Sequence, residues 1–168
     1  MQITKQLLQE IEEIQDKALF YTYLSFNLDE QHIFVDSNAL RQKLRLLPVY
    51  GNEMCIYSRF FGFTDDVLPL IQSCIQANLQ YLEKWNPCHT ALLLHNDFPQ
   101  PIGTGIVKGT DWNTSFPMSR IRVILGKSKT PERSFRIVTA YPVPNMEEMD
   151  AIWDAMDAFS AQQVKKSR

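Results

Sequence analysis

The sequence is short of most signatures that would assign a chemistry at sight. No apolar run approaches the roughly 20 residues needed to cross a bilayer. Residues 1–5 pass straight into a helical pattern, without the uninterrupted apolar stretch of a signal peptide. A soluble, cytoplasmic protein is expected. There are only three cysteines (Cys55, Cys74 and Cys88), an odd number with no C-x-x-C spacing. Reduced thiols, buried or half-buried, are therefore expected in place of a disulfide framework. Glycine is also scarce, at six residues. Gly103-Thr104-Gly105 followed by Gly109 imitates a phosphate loop, but it lies in a strand-like run with no helix behind it, so neither nucleotide cradle applies. Ser58 lacks the flanking glycines of a nucleophile elbow. His89 and His95 have no Cys, Asp or Glu at ligand spacing, so no metal site and no cofactor are expected. Charge of one sign is not in excess either. A net charge of −2 argues against nucleic-acid binding by bulk charge.

What is present is the material of one globular domain spanning residues 1–168. The chain is 45% apolar and 21% charged, and ten Phe, six Tyr and three Trp make its core aromatic. The charges are unevenly placed. Residues 118–140 hold six cations (Arg120, Arg122, Lys127, Lys129, Arg133 and Arg136) and a single acid, Glu132, whereas residues 141–164 hold five acids and no cation. Two readings stay open: an anion site, or alternating solvent-facing positions on strands.

The hydrophobic period changes along the chain. Ile3, Leu7, Leu8, Ile11, Ile14 and Ala18 predict an amphipathic helix over residues 3–20, followed by a polar loop over 25–31. Asp36 or Ser37 can cap a short helix bearing Leu40, Leu44 and Leu47, stopped before Pro48. Tyr50-Gly51-Asn52 reads as a turn and residues 54–60 as a strand. Thr64-Asp65-Asp66 starts a helix running to about residue 84, with Pro69 tolerated near its first turn. Beyond residue 88 the period becomes two, with strands expected at 90–94, 103–108, 120–125 and 135–141, the last ended by Pro142. Met146, Met149, Ile152, Trp153, Met156 and Phe159 then mark a closing helix over 146–163, whose apolar stripe is expected to pack on the body. Helices followed by consecutive strands imply an α+β fold, with helices on a mainly antiparallel sheet formed by the second half.

A few polar residues stand in sharp local contexts. His32 lies just before a capped helix, and Lys43 follows on that helix with Arg41 and Arg45 close by. Thr139 and Tyr141 share one face of the last strand. Individually, each reads as an ordinary surface or sheet residue. Together they carry a resemblance. Ser134-Phe135-Arg136-Ile137-Val138-Thr139-Ala140-Tyr141-Pro142 resembles the closing strand of the bacterial RNase A-like domain found at the C-termini of contact-dependent growth-inhibition toxins. His32-Ile33 with Leu40, Lys43 and Leu44 is similar to that family's His-led segment and the helix after it. Tyr57-Ser58-Arg59-Phe60, the helix ending in Trp85, and Gly103-x-Gly105-x-Val107 before Arg120-Ile121-Arg122-Val123 follow in the family's order. The resemblance covers residues 27–142 and leaves residues 1–26 and 143–168 as terminal helical additions.

The resemblance implies an RNase A-like fold and a metal-independent endoribonuclease of toxin type, working by 2′-hydroxyl attack with general acid–base catalysis. The implied catalytic residues are His32, Lys43, Thr139 and Tyr141, with Arg41, Arg120 and Arg122 as candidate substrate-binding residues. The implied partners are RNA, tRNA among the candidate targets, and an immunity or other protein. The chain departs from the family at four places. Lys43 stands where the family has arginine, Asn27 lies near the position of a further histidine, and Phe34-Val35 replaces Gly-Lys. The alternative is therefore a catalytically degenerate domain that binds protein or RNA.

Overall fold

Thr4 turns the extended N-terminus into helix α1 (Lys5–Glu13), its side chain accepting the Leu7 N–H at 3.1 Å. The computed structural model describes residues 1–49 and 54–167. Tyr50-Gly51-Asn52, read as a turn, lies outside the described residues. The single helix expected over 3–20 is two. Asp16 interrupts it by accepting the N–H groups of Ala18 and Leu19, which starts α2 (Lys17–Tyr23). The polar segment expected as a loop contains a π-helical turn, Asp29–Ile33. Asp36, not Ser37, caps α3 (Ser37–Leu46), with the Ala39 N–H at 2.8 Å from its carboxylate.

Strand β1 (Ile56–Phe60) leads into α4 (Thr64–Gln76) and α5 (Leu79–Lys84). Pro69 falls deeper in α4 than its first turn and cannot donate to the Asp65 carbonyl. The expected helix 64–84 breaks at Asn78, whose side-chain amide donates to the Cys74 carbonyl (2.7 Å) and to the His95 carbonyl (2.9 Å). That one amide ties the helix pair to the next strand.

The remaining strands are β2 (Leu92–Asp97), β3 (Gly103–Val107), β4 (Phe116–Met118), β5 (Arg120–Gly126) and β6 (Arg136–Val143). They form two antiparallel three-stranded sheets, ordered β1-β3-β4 and β2-β5-β6. The sequence predicts one sheet from the second half. The structure instead pairs β1, from the first half, with β3, and adds the short β4. Pro142 does not end β6, which runs on to Val143. β6 is an edge strand of its sheet, where a missing N–H is tolerated. The two sheets meet where the buried Ser58 hydroxyl donates to the Pro142 carbonyl at 2.7 Å. Gly103 is required at this crossing, since a Cβ there would lie 2.3 Å from the Arg59 carbonyl oxygen and 2.5 Å from Pro142. Gly103 and Gly105, which imitated a phosphate loop, are thus packing residues, and Gly109 serves the turn that follows, with a φ of +91°.

Leu7, Ile11, Ile14, Phe20 and Tyr23 of the first two helices share one core with Ile71 and Ile75 of α4 and with Ile121, Val123, Leu125 and Ile137 of the β2-β5-β6 sheet. The N-terminal helices are part of the core, not an addition beside it. Helix α6 (Met146–Lys166) is a different case. Its apolar stripe was expected to be buried, but only Ile152 is; Trp153 remains 42% and Met146 68% exposed. The reason lies beneath the helix, where its principal packing is against the short β4. Glu148 anchors it by accepting both the N–H and the hydroxyl of Ser119, each at 2.8 Å. Among the described residues, no helix is long and apolar enough to cross a membrane.

All three cysteines are free thiols. Cys74 is buried, which pushes its thiol up to about 12. Cys55 is half-buried. Cys88 departs from expectation and is exposed, because it sits in the turn after α5, with its N–H capped by the Asn86 side chain.

Candidate functional site

Alternation along the β2-β5-β6 sheet sends every second residue away from the core. On that outer face the register places His95 opposite Arg122, and Arg122 opposite Tyr141. The three form a row across three strands. Arg122 Nε donates to His95 Nε2 at 2.9 Å and Arg122 Nη1 donates to the Tyr141 hydroxyl at 3.2 Å. Because His95 Nε2 accepts, the His95 proton is on Nδ1. Burial, with the Arg122 and Arg120 charges beside it, holds His95 below the ordinary histidine range, with Asp97 opposing.

The row continues beyond the sheet. The π-helical turn carries His32 onto Tyr141, with ring centroids 5.3 Å apart and stacked. His32 also stacks on Tyr57 of β1, at 5.2 Å. Lys43 Nζ on α3 lies 5.7 Å from the centre of the Tyr57 ring. The Tyr57 hydroxyl donates to the Gln31 carbonyl at 2.8 Å, which fixes the ring against the turn that bears His32. Burial raises this hydroxyl to about 12, so it stays protonated.

His32 is 7% exposed. Its Nδ1 lies 2.7 Å from the Ser58 carbonyl. A carbonyl can only accept, so Nδ1 carries the proton and Nε2 keeps its lone pair. Burial lowers the imidazole to about 4; the Ser58 hydrogen bond opposes this and the Lys43 charge adds to it. At neutral pH, His32 is thus an uncharged base with a fixed tautomer.

The structure brings His32, Lys43, Arg122 and Tyr141 into this one row. Thr139 is half-buried on the same sheet face as Tyr141, one step along β6 and in register with Ile124. The other two predicted residues have partners of their own, although Arg120 also lines the cleft described below. Arg120 is clamped by Asp97 through Nε (2.6 Å) and Nη2 (3.1 Å). Arg41 donates to Asn38 (3.0 Å) and Asn113 (3.1 Å). Two residues apart on a helix, Arg41 and Lys43 point to different sides. Nor does the basic segment act as one patch, since Arg133 lies over the Tyr23 ring at 4.0 Å, on the α2 side.

Sequence reasoning missed Tyr57 and the role of His95 in the row. Tyr57 alternates with the buried Ser58 and lies in a segment that follows the family's order, and neither signal marks it as the residue that backs His32. The spacing of His95 was weighed for metal alone. Beside the row opens a cleft of about 880 Å³, lined by His95, Arg122, Tyr141 and Ser58 and walled by Met149 and Trp153 of α6. No grouping of His, Cys, Asp and Glu suited to a metal ion occurs among the described residues.

Residues 63–142 match the family model described as "Bacterial CdiA-CT RNAse A domain". The matched segment contains His95, Arg122, Thr139 and Tyr141 but not His32 or Lys43. The fold is similar to that of a chain in the crystal structure of a CdiA-CT/CdiI complex from Y. kristensenii 33638, with a TM-score of 0.55 and 19% identity, over 71% of this chain and 100% of that one. No curated protein matches the sequence. The resemblance to the bacterial RNase A-like toxin domain is thus found again by a family match and by a shared α+β fold.

Proposed function

We propose that the chain is an endoribonuclease of the bacterial RNase A-like toxin type, whose chemistry needs no metal. The observation that carries this reading is the placement of His32. Its tautomer is fixed by Ser58 and its ring is stacked on a tyrosine whose hydroxyl is held by Arg122. The family match over 63–142 points to a ribonuclease and supports the reading from the opposite side of the row.

RNA supplies its own nucleophile, the 2′-hydroxyl next to the scissile phosphate. His32 Nε2 takes the proton as that oxygen attacks phosphorus. Arg122 and Lys43 offset the extra negative charge of the phosphorane, and Thr139 donates to a phosphoryl oxygen. Tyr141 gives its proton to the departing 5′-oxygen. Arg122 already occupies a lone pair of that hydroxyl, so the O–H is free to point at the substrate and the resulting phenolate forms beside a cation. The products are a 2′,3′-cyclic phosphate and a 5′-hydroxyl. Lys43 provides charge as a single point, without the two-pronged grip of an arginine, and Arg122 supplies the fork.

RNA places the activity in the cytoplasm, with tRNA among the targets to test. The structural relative was solved as a CdiA-CT/CdiI complex. By analogy, a protein that covers the cleft is the expected partner of this chain. The test is incubation of the purified protein with total RNA in excess chelator, followed by end-group analysis. Cyclic phosphate ends that vanish in His32→Ala support the reading. Intact RNA with the wild-type protein would overturn it and favour the binding module, a reading to which the lysine at position 43 already lends weight.

A further inference from the structure

The outer face of β5 carries two arginines, two residues apart and differently held. Arg120 is gripped at two nitrogens by the Asp97 carboxylate, so its charge is matched by an opposite one. Arg122 is oriented by an imidazole instead. A neutral acceptor fixes the direction of a guanidinium without cancelling its charge, whereas a carboxylate does both. Arg122 also keeps N–H groups to offer. Nε is taken by His95 and one Nη1 hydrogen by Tyr141, leaving Nη2 and the second Nη1 hydrogen without a partner among the described residues. Those free hydrogens are on a residue that lines the cleft. In the proposed reaction Arg122 meets a phosphoryl group, and His95 has no part of its own.

We infer that His95 is a positioning residue: a neutral acceptor that aims the Arg122 guanidinium into the cleft while leaving its full positive charge for a phosphoryl oxygen. The inference deepens the ribonuclease reading and rests on it only for the identity of the phosphate. His95 touches no reacting atom and acts through Arg122.

The charge of the acceptor, and not merely its presence, is what the test must vary. His95→Gln puts a neutral amide oxygen near the position of Nε2, whereas His95→Glu puts a carboxylate there. The first readout is binding of inorganic phosphate, followed through the Arg122 Nε–H resonance. The second is the split of RNA cleavage into kcat and KM. His95→Gln should stay within about threefold of wild type in both. His95→Glu should weaken phosphate binding and lower kcat by about 10- to 100-fold each, the range of one charge-assisted hydrogen bond. His95→Ala, which introduces no new charge, guards against a folding failure in the Glu variant. It should lower kcat by about tenfold, and the Gln variant should restore it. Equal behaviour of the Gln and Glu variants, or wild-type behaviour of the Ala variant, would overturn the inference. If the wild-type protein cleaves no RNA, the ribonuclease reading falls, and the phosphate series still decides the role of His95.

Discussion

The two faces of the β2-β5-β6 sheet are built from the same strands and differ by one residue in phase. Ile121, Val123 and Leu125 of β5 face the helices and are fully buried, whereas Arg120 and Arg122, out of phase with them, face the cleft. The inner face does what apolar surface does: it excludes water without regard to direction. The outer face works through aimed polar contacts, each depending on a partner on a neighbouring strand or turn. A substitution on the inner face should therefore be read in stability, and one on the outer face in chemistry.

The largest expected effect comes from removing the proposed base, His32, which stacks on Tyr141 of the outer face. His32→Ala should lower RNA cleavage in chelator by about 10²–10⁴-fold, as loss of an acid–base group does, with circular dichroism unchanged. A collapse of the fold instead would erase the division between the two faces. On the inner face, Ile121→Ala should destabilise by about 2–5 kcal/mol, measured by urea unfolding, with the rate per folded molecule kept. Lost activity at full folding would show that the core also tunes the site.

Acid joins the two faces through His32, which the fold buries uncharged. Its folded value, about 4, lies below the usual 6.5 of an unfolded histidine, so the unfolded chain binds the extra proton between those limits. The stabilisation from keeping it neutral is complete above about pH 6.5 and is lost as pH falls toward 4, amounting to about 3 kcal/mol across the window. His32→Gln should flatten the fall in urea midpoint between pH 7 and 4.5. An unchanged slope would mean that other groups govern it. A smaller effect is expected at Tyr141, where Phe should depress cleavage by at least about tenfold, within the range of general acid catalysis. A rate equal to wild type would remove Tyr141 as the acid. Smallest of all, Lys43→Arg should leave the rate within about twofold, since the charge above Tyr57 is kept. A gain beyond tenfold would show that the fork of Arg122 is not enough.

Much of the fold was legible because helices and strands write their period locally. The change of period near residue 88 marks where the strands become consecutive, and Asp36 announces a helix start by capping chemistry. Apart from the local break at Asp16, the main errors fall where a distant group decides. The break at Asn78 depends on its reach to the His95 carbonyl, and the continuation of β6 through Pro142 depends on which edge that strand occupies. Helix α6 has a stripe that reads as core, yet the narrow β4 beneath it cannot cover that stripe.

For the site, the sequence alone determined which residues could do acid–base chemistry and, by resemblance, singled out His32, Lys43, Thr139 and Tyr141. It also determined that Thr139 and Tyr141 share a face, since the period of a strand is two. Only the tertiary structure decided that His95, Arg122 and Tyr141 stand in one row, that Tyr57 backs His32, and that Arg120 is neutralised while Arg122 is not. The physical reason is range. Period and capping arise between residues a few positions apart, whereas cross-strand register, ring stacking and the depressed basicity of His32 arise between groups far apart in sequence, and those exist only once the core has closed.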